Sequence, residues 1–349
     1  MPCDYPRNAL LSPRVDGKFP KPQTYLAHLP FEDVVKRLKD DPESQGRHLI
    51  QLKCGKCKGC KLDYAAQMTT RMMHEFQTFP LAMFVTLTYE DEYLPYGGTL
   101  CKNDLRRFIE RLRHHVDTNP SLYPNRKEVV MPTGKSAKPI RYYGAGEYGE
   151  QGLRPHYHLI IYNLWFNDAV EKKKNKQGDW LYTSNTLTKL WGKGLCDFGK
   201  VTAESCGYTA RYAQKKVYGD LAKEHYKRTI LLDALTGEVD VIQVEPEFSA
   251  MSTQPGLGYF YYQDNKEQIN GLDKTHITNR KGTRLINVPR FYNKLLSKEN
   301  PDLHTEINDK RLEKMRKRDF EDPTEKTVIR VKHKAEFRDL RTEQLKRRI

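Results

Sequence analysis

The chain has 349 residues, 30% of them charged and 38% hydrophobic, enough for one large or two ordinary domains of a globular protein with polar extensions. Its apolar runs, such as Leu81–Leu87, are too short to cross a bilayer, and Met1-Pro2-Cys3-Asp4-Tyr5-Pro6-Arg7 is no hydrophobic signal region, so we expect no membrane partner and action in the cytoplasm where the chain is made. The net charge is +15; residues 309–349 hold 15 basic and 9 acidic side chains, so the remainder is basic too and suits a polyanion such as a phosphate backbone, although a generically basic protein would carry the same charge.

Residues 1–46, rich in proline and polar side chains, read as an extended arm. Arg47–Lys53 has the pattern of a strand and leads into Cys54-Gly-Lys-Cys57-Lys-Gly-Cys60. Residues 61–79 predict a helix, with Ala65, Met68, Met72, Phe76 and Phe79 near helical spacing. Met83–Tyr89 is β-prone and reads as a buried strand, followed by a turn at Pro95–Gly98. Over residues 103–116, Leu105, Phe108, Ile109, Leu112 and Val116 recur at i, i+3, i+4, i+7 and i+11, which is one apolar helical stripe. The other face of that helix carries Arg106, Arg107, Arg111 and Arg113. Pro139–Tyr148 predicts a strand, Gly149–Pro155 a turn, and His156–Tyr162 a second strand. Residues 167–178 read as a charged, exposed insertion. Thr186–Trp191 suits a helix and Leu195–Val201 a strand. Thr202 suits the N-cap of a helix from Ala203 to about Tyr218, with Glu204 in its first turn. Beyond residue 220, Ser252–Tyr262 and Ile286–Leu296 read as ordered appendages and residues 305–349 as charged, partly flexible helix.

The order β-α-β-α-β-β-(α)-β-α joins hairpins and helices and does not repeat βαβ. The expected fold class is therefore α+β: a central, mostly antiparallel sheet flanked by helices, with a helical C-terminal extension. The expected parts are an arm (1–46), a core domain holding the early cysteines (47–220), an accessory segment (221–296) and a charged helical tail (297–349). No internal repeat is visible.

Three constellations can carry chemistry. Alternation puts His156 and His158 on one face of a strand and Tyr157 on the other, which supplies two-thirds of a divalent-metal site. The bland alternative is a pair of solvent-facing histidines. Glu147 lies across the hairpin and completes a three-ligand site if the register puts it on their face; otherwise it is a surface glutamate in a turn. Mixed nitrogen and oxygen ligands suit Mn²⁺ and, less ideally, Mg²⁺. The glycines of Gly144-Ala-Gly146-Glu-Tyr-Gly149 match a dinucleotide fingerprint, but a second strand follows in place of a helix, so they are assigned to the hairpin. Tyr208 and Tyr212, at i and i+4, share a helical face, with Lys215 and Lys216 following as cations. They form either a packed aromatic stripe or a pair of nucleophiles, the second needing a charge-neutralised phosphate because a phenol is mostly protonated at neutral pH. Cys54, Cys57 and Cys60 can share a metal, with Cys3 as a fourth ligand for Zn²⁺; an iron–sulfur cluster or plain reduced thiols are the alternatives.

Phe84-Val-Thr-Leu-Thr-Tyr89, Glu147 with Pro155-His156-Tyr157-His158-Leu159, and Tyr208-x-x-x-Tyr212-x-x-Lys215 together resemble the ordered motifs of HUH endonucleases. Replication initiators of the gokushovirus branch of the microviruses are similar in the cysteine run, in Gly146-Glu147-Tyr148-Gly149 and in Pro289-Arg290-Phe291-Tyr292, over roughly residues 47–296. The resemblance implies a Mg²⁺ or Mn²⁺ site at His156, His158 and Glu147. It also implies nicking of one strand of single-stranded or locally melted phage origin DNA through a 5′-phosphotyrosine, with Tyr208 and Tyr212 as paired nucleophiles and Lys215 or Lys216 beside the phenolate. Arg106, Arg107 and Arg113 are candidate phosphate contacts, against the alternative of a solvated helix face. No phosphate-binding Gly-x-x-x-x-Gly-Lys-Ser/Thr loop occurs, so unwinding and synthesis are expected from a host helicase and polymerase in the bacterial cytoplasm. The rival readings are another HUH enzyme, such as a transposase or plasmid initiator, and a non-catalytic, zinc-stabilised nucleic-acid-binding protein.

Overall fold

The computed structural model describes residues 3–13, 15, 20–38, 41, 46–128, 139–150, 152–175, 177–212, 215–233, 235–280 and 282–346. The elements begin with β1 (Arg7–Leu11), β2 (Gln23–Thr24), α1 (Phe31–Leu38), β3 (His48–Leu52), α2 (Lys58–Thr78), β4 (Ala82–Thr88) and α3 (Lys102–Thr118). There follow β5 (Arg141–Tyr148), β6 (Pro155–Tyr162), β7 (Val170–Lys174), β8 (Trp180–Thr183), α4 (Asn185–Trp191), β9 (Cys196–Lys200) and α5 (Ala203–Tyr212). The remainder comprises α6 (Leu221–His225), β10 (Lys227–Leu231), β11 (Val239–Gln243), β12 (Phe248–Met251), α7 (Tyr259–Leu272), β13 (Lys274–Asn279), β14 (Gly282–Asn287), α8 (Arg290–Glu299), α9 (Pro301–Glu321) and α10 (Val328–Lys346). They gather into two compact units, residues 65–287 and residues 1–64 with 288–349.

The larger unit is built on an antiparallel sheet in the order β12-β5-β6-β4-β9-β8-β7. The class expected from the sequence, α+β around an antiparallel sheet with a helical C-terminus, is the one observed. Each face has its own core. Met83, Val85, Leu87, Tyr157, Leu159 and Ile161 point to one side, where the apolar stripe of α3 and Leu187 and Trp191 of α4 cover them. Tyr143, Ile160 and Tyr162 point to the other, packed by Met68 and Met72 of α2, Cys206 and Ala210 of α5, and Leu257. Gly146 belongs to the α3 side: a Cβ there would come within 2.7 Å of the Phe248 ring and 3.0 Å of Leu100. The glycines at 144 and 146 therefore serve close packing inside β5 and are not in the turn itself.

Several elements differ from the sequence reading. The strand near residues 47–53 does not join the central sheet; β3 pairs with β1, and β1 with β2, in the smaller unit. Part of the expected extended arm is thus paired strand, because Ala9 and Leu10 are apolar side chains that this sheet buries. The insertion at 167–178 is exposed as expected, yet it folds as β7 and pairs with β8 to extend the central sheet. Its lysines hid the strand because an edge with solvent on both faces shows no apolar alternation. The late helix falls short of Tyr218: it is described as α5 to Tyr212, residues 215–218 are not helical, and the Val217 amide donates to the Tyr226 hydroxyl (2.9 Å). Of the two appendages, the first contributes the start of α7 and the second the end of β14 and most of α8.

In the smaller unit Gly55, with φ +80°, makes the turn between Cys54 and Cys57 at little steric cost. Asp4 caps α2 by accepting from the Gly59 amide (3.0 Å) and pairs with Arg338 of α10. No helix among the described residues is long and apolar enough to cross a membrane.

Candidate metal and tyrosine site

The hairpin register fixes the site. Glu147 of β5 is paired directly with His156 of β6, so both project from the same face, and His158 follows two residues on. Glu147 Oε1 lies 3.0 Å from His156 Nε2 and 3.0 Å from His158 Nε2. The other ring nitrogens are engaged behind the site. His156 Nδ1–H donates to the Arg154 carbonyl (3.1 Å), and His158 Nδ1 pairs with the Thr86 hydroxyl (3.2 Å). A carbonyl only accepts, so His156 carries its proton on Nδ1 and, when neutral, turns a bare Nε2 lone pair towards a carboxylate. Three acceptor atoms converging in this way need a proton or a cation between them, which is how histidine and carboxylate metal sites are built.

Without a cation, hydrogen bonding takes that place. Burial alone would raise the Glu147 carboxyl, but hydrogen bonds from His156 and His158 outweigh it and hold it down to about 2. Burial lowers His158 below the ordinary imidazole value, against the pull of Glu147, and so favours the neutral form that ligates. Glu147 Oε2 is buried, makes no hydrogen bond among the described residues, and lies 3.5 Å from Lys215 Nζ.

Tyr208 stands over this group. Its hydroxyl is 3.5 Å from Glu147 Oε1 and 3.5 Å from His158 Nε2, and its ring meets the His158 ring edge-on at 5.0 Å. α5 starts where it must for this because Thr202 and Ser205 cap it reciprocally: the Ser205 amide donates to Thr202 Oγ1 (3.1 Å) and the Thr202 amide to Ser205 Oγ (2.9 Å). Tyr212 closes α5, and its side chain lies outside the described residues. Lys215 reaches Glu147 from beyond the helix, not from its face, and Lys216 sits 5.5 Å from the Tyr218 ring.

The α3 arginines are elsewhere. α3 packs on the opposite face of the sheet, where Leu105 would touch a Cβ on Gly144. Arg106 pairs with Glu110 (3.0 Å), Arg107 is exposed, and Arg113 turns inward to donate to the Ile140 carbonyl (3.0 and 3.3 Å). Two contributors escaped the sequence reading. Thr86 is legible only once its pairing with His158 is known, and Asp197, paired with Thr86 on the site face, likewise.

In the smaller unit the sulfurs of Cys3, Cys54, Cys57 and Cys60 all lie within 4.8 Å of one another, a group that can hold a metal ion. Backbone amides of Asp4 and Cys60 donate to Cys57 Sγ (3.2 and 3.4 Å), that of Cys54 to Cys3 Sγ (3.3 Å) and that of Cys57 to Cys54 Sγ (3.4 Å). Burial raises the Cys54 thiol, but the amides of Cys57 and Lys56 outweigh it and bring it down to about 7. At Cys54 the amide donors thus favour the thiolate, the form that binds metal, whereas burial holds the Cys3 and Cys57 thiols above the ordinary value.

A family profile described as replication-associated protein ORF2/G2P matches residues 82–217. The chain is 32% identical over 251 residues to the replication-associated protein ORF2 of Spiroplasma virus 4, covering 70% of this chain and 68% of that one. It is 36% identical over 172 residues to the replication-associated protein VP4 of Bdellovibrio phage phiMH2K, or 49% of this chain and 50% of that one. It is 28% identical over 171 residues to the replication-associated protein ORF4 of Chlamydia phage 1, which it covers over 38% of its length. No solved structure matches.

Proposed function

The chain belongs to the replication-associated proteins of microviruses, and from that premise we propose that it initiates rolling-circle replication by nicking and rejoining one strand of phage origin DNA. The observation that carries this reading is the half-buried Tyr208 hydroxyl, 3.5 Å from both Glu147 Oε1 and His158 Nε2. The residues fit a divalent cation, Mg²⁺ or Mn²⁺, held by Glu147, His156 and His158; when bound it would draw charge from the non-bridging oxygens of the scissile phosphate.

The chain's own residues do the rest. The Tyr208 oxygen attacks phosphorus, the bond to the 3′-oxygen breaks, the downstream fragment is left joined to the tyrosine through its 5′ phosphate, and the proton lost by the phenol balances the one the departing 3′-oxygen takes up. Lys215 offsets charge at the carboxylate and developing phenolate. The 3′-oxygen leaves as a free hydroxyl for a host polymerase, and reversal of the same exchange rejoins the strand. Tyr212 is proposed as the second nucleophile. One phosphodiester is exchanged for another, so neither step consumes a nucleotide; strand separation falls to a host helicase in the bacterial cytoplasm. The four cysteines are proposed to hold a structural Zn²⁺.

Incubation with Mn²⁺ and single strands containing the origin tests this reading. The expected product is a protein–DNA species that survives denaturant, carries its 5′ phosphate on Tyr208 or Tyr212, and is absent from the Tyr208→Phe/Tyr212→Phe double variant. The same yield from that variant refutes the assignment. Salt-sensitive binding without any adduct from the intact protein favours the non-catalytic zinc-stabilised binder.

A further inference from the structure

We propose that Lys172 and Lys173 of β7 hold the backbone of a single DNA strand at the far end of an open shelf that starts at the histidines. The inference rests on the nicking reading for where that strand leads, and on the sheet itself for where it is held.

The triad face is covered unevenly. α5 packs on β5 and β6. Across β4, β9 and β8, however, the side chains on that face (Thr86, Thr88, Asp197, Leu181 and Thr183) are only half-buried. On β4 and β9 their neighbours on the opposite face, Val85, Leu87 and Phe198, are sealed at 1% exposure or less, while on β8 neither face is sealed. The register carries the shelf outward: His158 pairs with Thr86, Thr86 with Asp197, Gly199 with Leu181, and Leu181 with Lys173. β7 is four strands from β6, about 19 Å at ordinary strand spacing. A few nucleotides of extended strand bridge that.

The shelf ends in a feature that plain strand geometry would not produce. Glu171 pairs with Tyr182 and Lys173 with Leu181, so Lys172 is an extra residue, a bulge. In a regular strand Lys172 and Lys173 would point to opposite faces. Here Lys173 is on the triad face by register, and Lys172 is there by contact, with Nζ 3.9 Å from Asp197 Oδ2. Bulges re-aim side chains at sheet edges beside functional sites. Both lysines are exposed, and the Lys172–Asp197 pair is loose enough to yield to a phosphate. Lys174 falls on the other face, with its ammonium 4.9 Å from the Trp180 ring.

The rival account is that lysines on an edge strand keep a second sheet from adding. A bulge also serves that guard, but the guard makes no demand on which face the lysines take, whereas here both lie on the triad face, one of them against Asp197. Two acidic groups near the shelf are already countered by cations, Asp197 by Lys172 and Asp179 by Arg280 (2.6 Å), which lessens their repulsion of a phosphate. A single-stranded backbone suits the shelf better than a duplex, because half-buried threonine and leucine side chains lie beneath it and unstacked bases can rest there.

The test uses the full chain carrying Tyr208→Phe, with a fluorescent 20-nucleotide single strand titrated at several salt concentrations. Each lost phosphate contact lowers the log–log salt slope by about 0.7 on single strands. Lys172→Gln/Lys173→Gln should therefore lower it by about 1.4 and weaken binding roughly 25-fold at 0.1 M salt, while Lys174→Gln changes affinity less than about threefold. A double variant within twofold of the parent overturns the proposal, as does an equal loss from Lys174→Gln. Adduct formation by the unmodified chain is scored separately. Adducts without lysine dependence sink the shelf and leave the nuclease standing, whereas lysine-dependent binding without adducts does the reverse.

Discussion

Thr86→Val separates the proposed metal site from the sheet that carries it. Valine keeps the shape of threonine, so no cavity opens in β4, and what is removed is one oxygen, 3.2 Å from His158 Nδ1. Thr86 is the partner the structure gives that nitrogen, and His158 is buried, so in the tautomer that ligates through Nε2 the Nδ1–H is left without an acceptor. The imidazole then either bears that cost or moves its proton to Nε2, where it stops being a ligand. Losing such an outer partner typically costs about 10- to 100-fold in metal affinity, or roughly 1.4–2.8 kcal/mol. Titration calorimetry with Mn²⁺ measures this directly. Thr88→Val is the internal control: Thr88 sits on the same face, but its hydroxyl donates to the Leu195 carbonyl (3.0 Å), and its affinity should stay within about threefold of the parent. Equal Mn²⁺ affinity in Thr86→Val and the parent would refute the argument that outer hydrogen bonds orient these imidazoles.

Three further expectations concern other parts of the molecule. Cys57→Ser should lower zinc, measured by atomic emission on purified protein, from about one ion per chain to near zero, and retention of a full equivalent would exclude the four-sulfur site. Arg113→Ala should cost about 1–3 kcal/mol in urea unfolding, because the Ile140 carbonyl loses both guanidinium donors. Arg106→Ala, which breaks an exposed pair with Glu110, should stay within about 1 kcal/mol, and neither change should alter the salt slope for DNA. His74 is buried, and that burial lowers it to about 4. The unfolded chain takes up this proton first, so its contribution to stability is full above pH 6.5, declines as pH falls towards 4, and amounts to roughly 3 kcal/mol. Urea unfolding at pH 7 and pH 5 should show that decline, and His74→Phe should flatten it; an unchanged decline would assign the dependence elsewhere.

What could be read from the sequence was whatever a period fixes. The stripe of Leu105, Phe108, Ile109, Leu112 and Val116 could only be one buried helix face, and it is. Alternation was enough to put His156 and His158 side by side. Register was not, because sliding β5 by one residue would have sent Glu147 to the α3 side; what selects the observed pairing is that Gly144 and Gly146, and not bulkier residues, must face Leu105, Leu100 and Phe248. The side of the sheet on which a helix lands is non-local, so the α3 arginines looked like neighbours of the histidines when the whole sheet lies between. The same holds for Lys215. The reading along a continuous helix placed it with the tyrosines by spacing, whereas α5 ends first and the chain beyond it brings the ammonium to Glu147.

Tyr157, between the two histidines, shows how the faces depend on each other. Phenylalanine would satisfy burial there, yet the hydroxyl has work on the α3 side. α3 begins after Cys101, which has no side-chain cap. The Cys101 amide donates to the Tyr157 oxygen (2.9 Å), and the Cys101 carbonyl lies within reach of the same hydroxyl (2.9 Å). Tyr89 joins them, 2.8 Å from the Tyr157 oxygen and donating to Asp104 in the first turn of α3 (2.8 Å). Burial pushes both phenols well above their ordinary values, so they remain protonated donors throughout the physiological range. This network anchors β6 from behind at the very residue that separates the two imidazoles. The Nε2 atoms of His156 and His158 can therefore converge on one carboxylate oxygen because the strand between them is tied down on the opposite side.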